Sequence, residues 1–504
     1  MSTYAASVAR ASGPSRLRAP RARPWLEVLV PGLLALLTPL PALLRWPLWR
    51  NEIASVTVAQ RSVGGIFRVL HHTDAPIGLY YLLLHFWLKL GTSDAFVRIP
   101  SLLLLAGSVV ATVLLARETF GGHSGWLAGL LLALSPLAVN SAAEARPYPL
   151  VMCLTTVSTL LLIRAAADPS RKNLLRYTLV AAVAVLAHFF ALLILLAHAA
   201  ALLRQPPAVR RRFLLPYGLL ACISAPLILF AATEQASEVA WIPPQTLHGI
   251  ESAGSQIAGS QPLLACVVVL ALFVLAGQVR RRGDSPTAEA WRQQLVLYCL
   301  LVPPILLVGG SVVKPLLVPR YLIETLPMVA IVAAAGIAAL RGRARIRIVA
   351  ATVVVALSAV ATYSTIHHSY RSEDPKAMAA TVARLAQPGD VVTFAPAYSR
   401  TSFDYYFDQL PASEKSKLTD IALITPAQQA GTLYATELPA DKLAQALNGK
   451  KRIWIVGYGA LLPTPTAKTP EPMIAFEQTP QFATYHVARL LTFGAAHAEL
   501  LVGP

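Results

Sequence analysis

The sequence predicts an all-α polytopic membrane domain of about eleven transmembrane helices followed by a C-terminal α/β domain. Three observations predict it. Of 504 residues, 55% are hydrophobic and 13% charged, where a soluble domain carries about 25% charged residues. Apolar runs long enough to cross ~30 Å of hydrocarbon recur from Trp25 to Thr365. Near Ser372 the composition turns polar and mixed.

The expected spans are 25–45, 96–116, 124–141, 148–164, 174–188, 189–204, 213–232, 262–279, 294–312, 319–340 and 346–364. The net charge of +18 would suit a nucleic-acid binder, but the positive residues fall between apolar runs, which excludes that class in favour of membrane topology. With the N-terminus inside, Arg210-Arg211-Arg212, Arg280-Arg281-Arg282 and Arg341, Arg343, Arg345 and Arg347 all lie in cytoplasmic loops, as the positive-inside rule requires. Residues 1–24 form an arginine-bearing cytoplasmic tail ahead of an uncleaved signal-anchor, since no small-residue cleavage site follows the first apolar run. The expected location is the plasma (inner) membrane, crossed many times. Cys153, Cys222, Cys266 and Cys299 all sit in apolar stretches and lack metal or disulfide spacing.

This orientation places 46–95, the 140–146 turn, the 233–261 loop and the C-terminal domain outside. The first outer loop, about fifty residues, is too long for a plain connector. Its Ile77–Lys89 segment is aromatic and reads as an interfacial helix, because a span there would invert every later loop. In 366–504, Asp374-Pro375 caps a helix over Lys376–Ala386, Pro388-Gly-Asp390 is a turn, and Val391–Phe394, Ile453–Val456 and Tyr485–Leu491 are strands. Gly457-Tyr-Gly459 is too short a glycine motif to indicate nucleotide binding.

Ionisable residues at a membrane face are costly, and each is a functional candidate. Glu52 follows Trp49-Arg50-Asn51. Asp74 lies in His71-His72-Thr73-Asp74-Ala75-Pro76. Glu144 and Arg146 lie in Glu144-Ala-Arg146-Pro-Tyr148, and Lys314 precedes Arg320-Tyr321. His188 separates two apolar runs, Trp241 opens Trp241-Ile-Pro-Pro244, and Arg98 anchors the second span at the interface. Read singly, each has a bland alternative: a solvated loop charge, a local ion pair for Glu144 and Arg146, an interhelical histidine. Their placement on one face is the stronger signal.

The layout over about 45–330 resembles the GT-C superfamily of membrane glycosyltransferases. It is similar to the protein O-mannosyltransferases, the bacterial aminoarabinose transferases and the actinobacterial polyprenyl-phosphate-mannose enzymes. The matching residues are Asn51-Glu52 for an Asp-Glu pair, Asp74 with Pro76 and Tyr80-Tyr81, Glu144-Ala-Arg146-Pro-Tyr148, and Arg320-Tyr321. The first acid of the pair, the usual base of the family, is Asn51 here, and an amide cannot take a proton at neutral pH. The resemblance implies a polyprenyl monophosphate sugar as donor, with mannose as the sugar. The transfer would go to a hydroxyl on a glycan, protein or peptide acceptor, with inversion. It implies Arg146 and Arg320 on the donor phosphate, Tyr148 and Lys314 as further donors, and Glu52, then Asp74, as the base. The motifs call for no cofactor; a divalent cation on Asp74, His71 and Glu144 is the alternative. Two other classes stay open, a lipid or glycolipid flippase and an inactive scaffold with this fold, although the charge-free span interiors fit a transporter poorly. A reporter fused after Pro504 is expected to be active only outside the cytoplasm; a cytoplasmic signal would overturn the orientation.

Overall fold

A computed structural model of the chain describes residues 25–233, 242–280, 288–340, 344–367, 373–458, 479–480 and 482–503. Residues 1–24, Trp241, Arg281, Arg282, Arg341, Arg343 and Gly459 lie outside the described residues.

Every expected span is helical. Among the described residues seven helices are long and apolar enough to cross a membrane, namely Leu26–Arg45, Phe96–Phe120, Tyr148–Ala167, Gln261–Gln278, Ala288–Gly310, Pro319–Ala339 and Ala344–His367. The third expected span is a bent pair, Ser124–Ala133 and Pro136–Ala142, at 59°. The bend follows from the sequence. Proline disfavours a helical residue before it, and Ser135 takes an extended conformation, φ −79° and ψ 120°. The carbonyls freed there are taken up by neighbouring spans: Thr38 Oγ1 donates to Ala133 O at 3.1 Å and Thr362 Oγ1 to Leu134 O at 2.6 Å. The remaining segments, Arg171–Ala187, Ala191–Leu202 and Leu214–Thr233, are helical too. Of these, Ala191–Leu202 and the apolar part of the last, Leu214–Phe230, are shorter than a span requires. Helix packing inside hydrocarbon relies on close approach. A Cβ on Gly336 would stand 2.6 Å from the Leu270 carbonyl, so glycine is what lets these two helices touch.

The first loop folds into three α-helices, Arg50–Ala59, Val63–His72 and Gly78–Leu88. The last of these, expected to lie along the membrane surface, buries Tyr80, Tyr81, Leu84 and Leu88. These side chains join Ile53, Val56, Ile66 and Val69 in one apolar core with Met378, Val382, Phe394, Phe403 and Trp454 of the C-terminal domain. Loop and domain are therefore a single packed unit. Polar contacts register it. Leu48 N donates to Tyr406 Oη at 2.7 Å, Tyr406 Oη donates to Asp94 at 3.0 Å, and Arg50 N donates to Glu373 at 2.9 Å.

The C-terminal domain carries β1 (Asp390–Ala395), β2 (Leu418–Asp420), β3 (Leu423–Thr425), β4 (Thr436–Glu437), β5 (Arg452–Tyr458), β6 (His486–Phe493) and β7 (Ala496–Val502). The main sheet has the order β2-β1-β5-β7-β6, and β3 and β4 form a separate hairpin. β1 runs parallel to β2 and β5, while β7 pairs antiparallel with β5 and β6. The expected strands appear with longer bounds, and the expected helix is Pro375–Leu385, with Asp374 accepting from Ala377 N at 2.9 Å. At the start of β1 the buried Asp390 accepts from Arg452 Nε at 2.8 Å, Trp454 Nε1 at 2.9 Å and Gln387 N at 3.1 Å. Asp390→Ala leaves all three donors partnerless and is expected to cost about 2–4 kcal/mol. The thermal midpoint of the purified full chain reads this; a midpoint equal to that of the parent protein would refute it.

Candidate active site

The face of the helical domain that meets the C-terminal domain gathers most of the predicted residues. The helix Arg50–Ala59 begins where the first span ends and places Glu52 in its first turn, fully buried. Arg98, at the start of the second span, is also fully buried and is not the interfacial anchor expected of it. Its Nε and Nη2 donate to the two Glu52 oxygens, each at 2.7 Å. Nη1 donates to Trp46 O at 2.6 Å and Leu43 O at 3.3 Å, and Nη2 to Pro47 O at 2.8 Å. All five guanidinium N–H groups are thus used. Glu52 further accepts from Ala145 N at 2.8 Å and Trp49 N at 3.3 Å. Glu52, expected first as the base, therefore has its oxygens occupied by four protein donors and sealed from solvent.

Asp74 is the next acid. It is half-buried and sits in the left-handed region, φ 57°, the one non-glycine residue with positive φ among those described. Such strain persists only where the surroundings enforce it, and it marks candidate functional positions. The hydroxyl of the fully buried Tyr81 donates to Asp74 Oδ2 at 2.5 Å and fixes the carboxylate.

The bent third span delivers Arg146 beside this pair. Arg146 Nη1 donates to Ser55 Oγ at 3.0 Å and Asn51 O at 3.3 Å. Its Nε is buried and has no hydrogen-bond partner among the described residues. Its guanidinium carbon lies 5.8 Å from the Tyr148 ring centroid, and Asp74, Tyr81 and Tyr148 are its electrostatic neighbours. Asn51 therefore contributes through its carbonyl. Ser55, one turn later, was not singled out from sequence; its spacing of four from Asn51 on a helix was the available signal. Glu144 is buried and accepts from Asn140 Nδ2 at 3.0 Å.

Aromatic rings floor the site. His188 lies 5.7 Å from Tyr148, 5.5 Å from Phe190 and 6.3 Å from Tyr321, and Tyr321 stacks on Phe190 at 4.5 Å. Phe190 N donates to His188 Nδ1 at 3.2 Å, which puts the imidazole proton on Nε2. Arg320 lies 5.8 Å from the Tyr321 ring, and both Arg146 and Arg320 act on His188 through their charge. Arg146, Tyr148, His188 and Arg320 are thus one cluster. Lys314 stays apart, half-buried in the turn after Ala288–Gly310, with no side-chain contact to the cluster among the described residues. His71 is exposed against His72 at 5.4 Å, and no three described His, Cys, Asp or Glu side chains gather as metal ligands.

Solved structures share this fold. Its arrangement is similar to ArnT from Cupriavidus metallidurans bound to undecaprenyl phosphate, with TM-score 0.57 and 10% identity over 94% of this chain and 97% of that one. The oligosaccharyltransferase of Archaeoglobus fulgidus in its apo form gives TM-score 0.52 and 9% identity over 86% of this chain and 70% of that one. Residues 74–233 match the family model described as dolichyl-phosphate-mannose-protein mannosyltransferase. No curated protein matches the sequence.

Glu52→Gln strands the Arg98 charge and is expected to lower stability by about 3–5 kcal/mol, whereas Glu52→Gln with Arg98→Met recovers much of the loss. Thermal midpoints of the purified variants check this; a double variant no better than the single would show that the ion pair is not the unit.

Proposed function

We propose that the protein transfers a sugar, mannose first among candidates, from a polyprenyl monophosphate to an acceptor hydroxyl on the outer face of the plasma membrane. The observation that carries the reading is the buried, unpartnered Arg146 Nε beside an acid in strained geometry whose carboxylate is fixed by Tyr81. The likeness to an ArnT structure holding undecaprenyl phosphate supports the donor class, and the family model matched over 74–233 supports mannose.

The residues divide the work as follows. Asp74 takes the proton of the acceptor hydroxyl as that oxygen attacks the anomeric carbon. The bond from the anomeric carbon to the phosphate oxygen breaks, and its electron pair leaves on the polyprenyl phosphate, whose charge grows by one. Arg146 and Arg320 meet that charge, since a guanidinium donates two parallel hydrogen bonds to a phosphate. Tyr148 and the His188 Nε2 proton add neutral donors. A single displacement inverts the anomeric centre. The acceptor is a glycan, a protein or a peptide. The N-terminus lies in the cytoplasm, and the site lies outside with the C-terminal domain.

Transfer is measured in membranes supplied with a series of polyprenyl-phosphate sugars. Asp74→Asn is expected to reduce turnover by about 10²–10⁴-fold, and Arg146→Ala to weaken donor use by roughly 10–100-fold. Full transfer by Asp74→Asn would remove it as the base, and no transfer from any such donor by the unmodified protein would end the reading.

A further inference from the structure

Beside the site lies a cavity of about 550 Å³, within the ~300–1,000 Å³ range of small-ligand sites. Its walls come from the end of the helix Arg50–Ala59 with Arg61, from the helix Ser399–Phe407, and from the β3–β4 hairpin. Two arginines line it. Arg400 is fully engaged: Nε and Nη2 donate to Asp420 at 2.7 and 3.1 Å, and Nη1 donates to Glu437. Arg61 is different. It is 5% exposed, and its Nη1 is buried with no hydrogen-bond partner among the described residues. Arg61 lines the cavity while its Nη1 is sealed in the wall; a buried donor left unmade costs about 1–3 kcal/mol, which favours a small shift of the wall that opens Nη1 to an acceptor in the cavity.

The remaining wall sets the chemistry of that acceptor. Asp404 and Asp408 face the space with Thr57, Gln428 and the Tyr405 ring. Burial, then the Asp420 charge, pushes the Asp404 carboxyl up to about 8, so near neutral pH it donates as well as accepts. Carboxyl, amide and hydroxyl groups around one aromatic face suit a polyol. The polar wall disfavours an acyl chain. The cavity and the Arg146 cluster share the helix Arg50–Ala59, which lines the cavity at Thr57 and holds Ser55 against Arg146. Tyr81, which holds Asp74, is an electrostatic neighbour of Arg61. The hairpin leans over the same region, where a Cβ on Gly431 would stand 3.6 Å from the Arg68 side chain.

We propose that this cavity is the acceptor site and that it takes an uncharged saccharide, one oxygen of which accepts a hydrogen bond from Arg61 Nη1. The assignment rests on the transferase reading for its purpose but is tested by binding alone. The full-length protein in lipid nanodiscs is titrated with mannobiose, cellobiose and chitobiose and followed by saturation-transfer NMR. At least one disaccharide is expected to bind saturably and to lose roughly tenfold in affinity in Arg61→Met and in Gln428→Trp, which fills the rim. Undecaprenyl phosphate is expected to bind both variants as it binds the parent, showing that they fold. Should Arg61→Met fail to fold, Gln428→Trp carries the test, since Gln428 is exposed. Absence of binding by all three sugars, binding indifferent to both variants, or displacement of the sugars by a serine-containing peptide would each overturn the assignment. Variant-sensitive sugar binding without transfer from any polyprenyl-phosphate sugar would sink the transferase reading and leave the cavity's ligand class standing. Normal transfer without such binding would sink only the cavity.

Discussion

The site depends on one buried ion pair. Arg98 and Glu52 are both sealed from solvent, and removing two charges from water is costly unless geometry and extra hydrogen bonds compensate. Here they do, because every guanidinium N–H has an acceptor. The partners come from the exit of the first span at Leu43, Trp46 and Pro47, the first loop helix at Glu52, and the second span at Arg98 itself. Glu52 then grips the backbone at Ala145. Three stretches far apart in sequence, 43–52, Arg98 and Ala145, are fixed at one point, and Arg146 is the residue next to that grip. The placement of Arg146 is thus set by a pair whose polar atoms are all used within the protein.

A second constraint works from the other side. The Ser135-Pro136 step bends the third span by 59°, turning Asn140–Arg146 toward the loop helices. A straight helix would carry these residues on along its axis. Threonines on two other spans take up the carbonyls at the break, so the bend does not depend on lipid or water. Strain at Asp74 and the bend at Pro136 are local departures from regular structure, and together they frame the polar face between them.

The membrane helices were legible in the sequence because an apolar run of sufficient length has few alternatives. The cluster was legible in part, for Asp74, Arg146, Tyr148, His188 and Arg320 are polar groups where polarity is costly. What could not be read was pairing. Glu52 and Arg98 have the same signature as catalytic groups, and only their contact, 46 positions apart, shows that each satisfies the other. Lys314 is a related case, a charge near the membrane surface that the fold leaves aside. Arg61 escaped notice for the opposite reason. It follows a short helix in a loop, where an arginine reads as solvated, and its burial, with only 5% of it exposed, is a tertiary fact that spacing does not show. The partners of Ile77–Lys89 were not legible either, for its buried side chains pack on Arg50–Ala59, Val63–His72 and Arg171–Ala187 while Leu83 and Phe86 stay exposed.

Separation in sequence has a consequence for biogenesis. Leu48 N and Arg50 N find their partners 358 and 323 positions downstream. The first loop emerges early in synthesis, yet the apolar core it shares with Met378, Phe403 and Trp454 is complete only after the last strand, Ala496–Val502, has joined its sheet. Through most of translation the loop shows bare apolar side chains beside a polar cleft. A chain that stops short of its final residues keeps them bare, which is the mark that chaperones and proteases read. Completion of the C-terminal domain is thus both the closing of the site and the signal that the protein is finished.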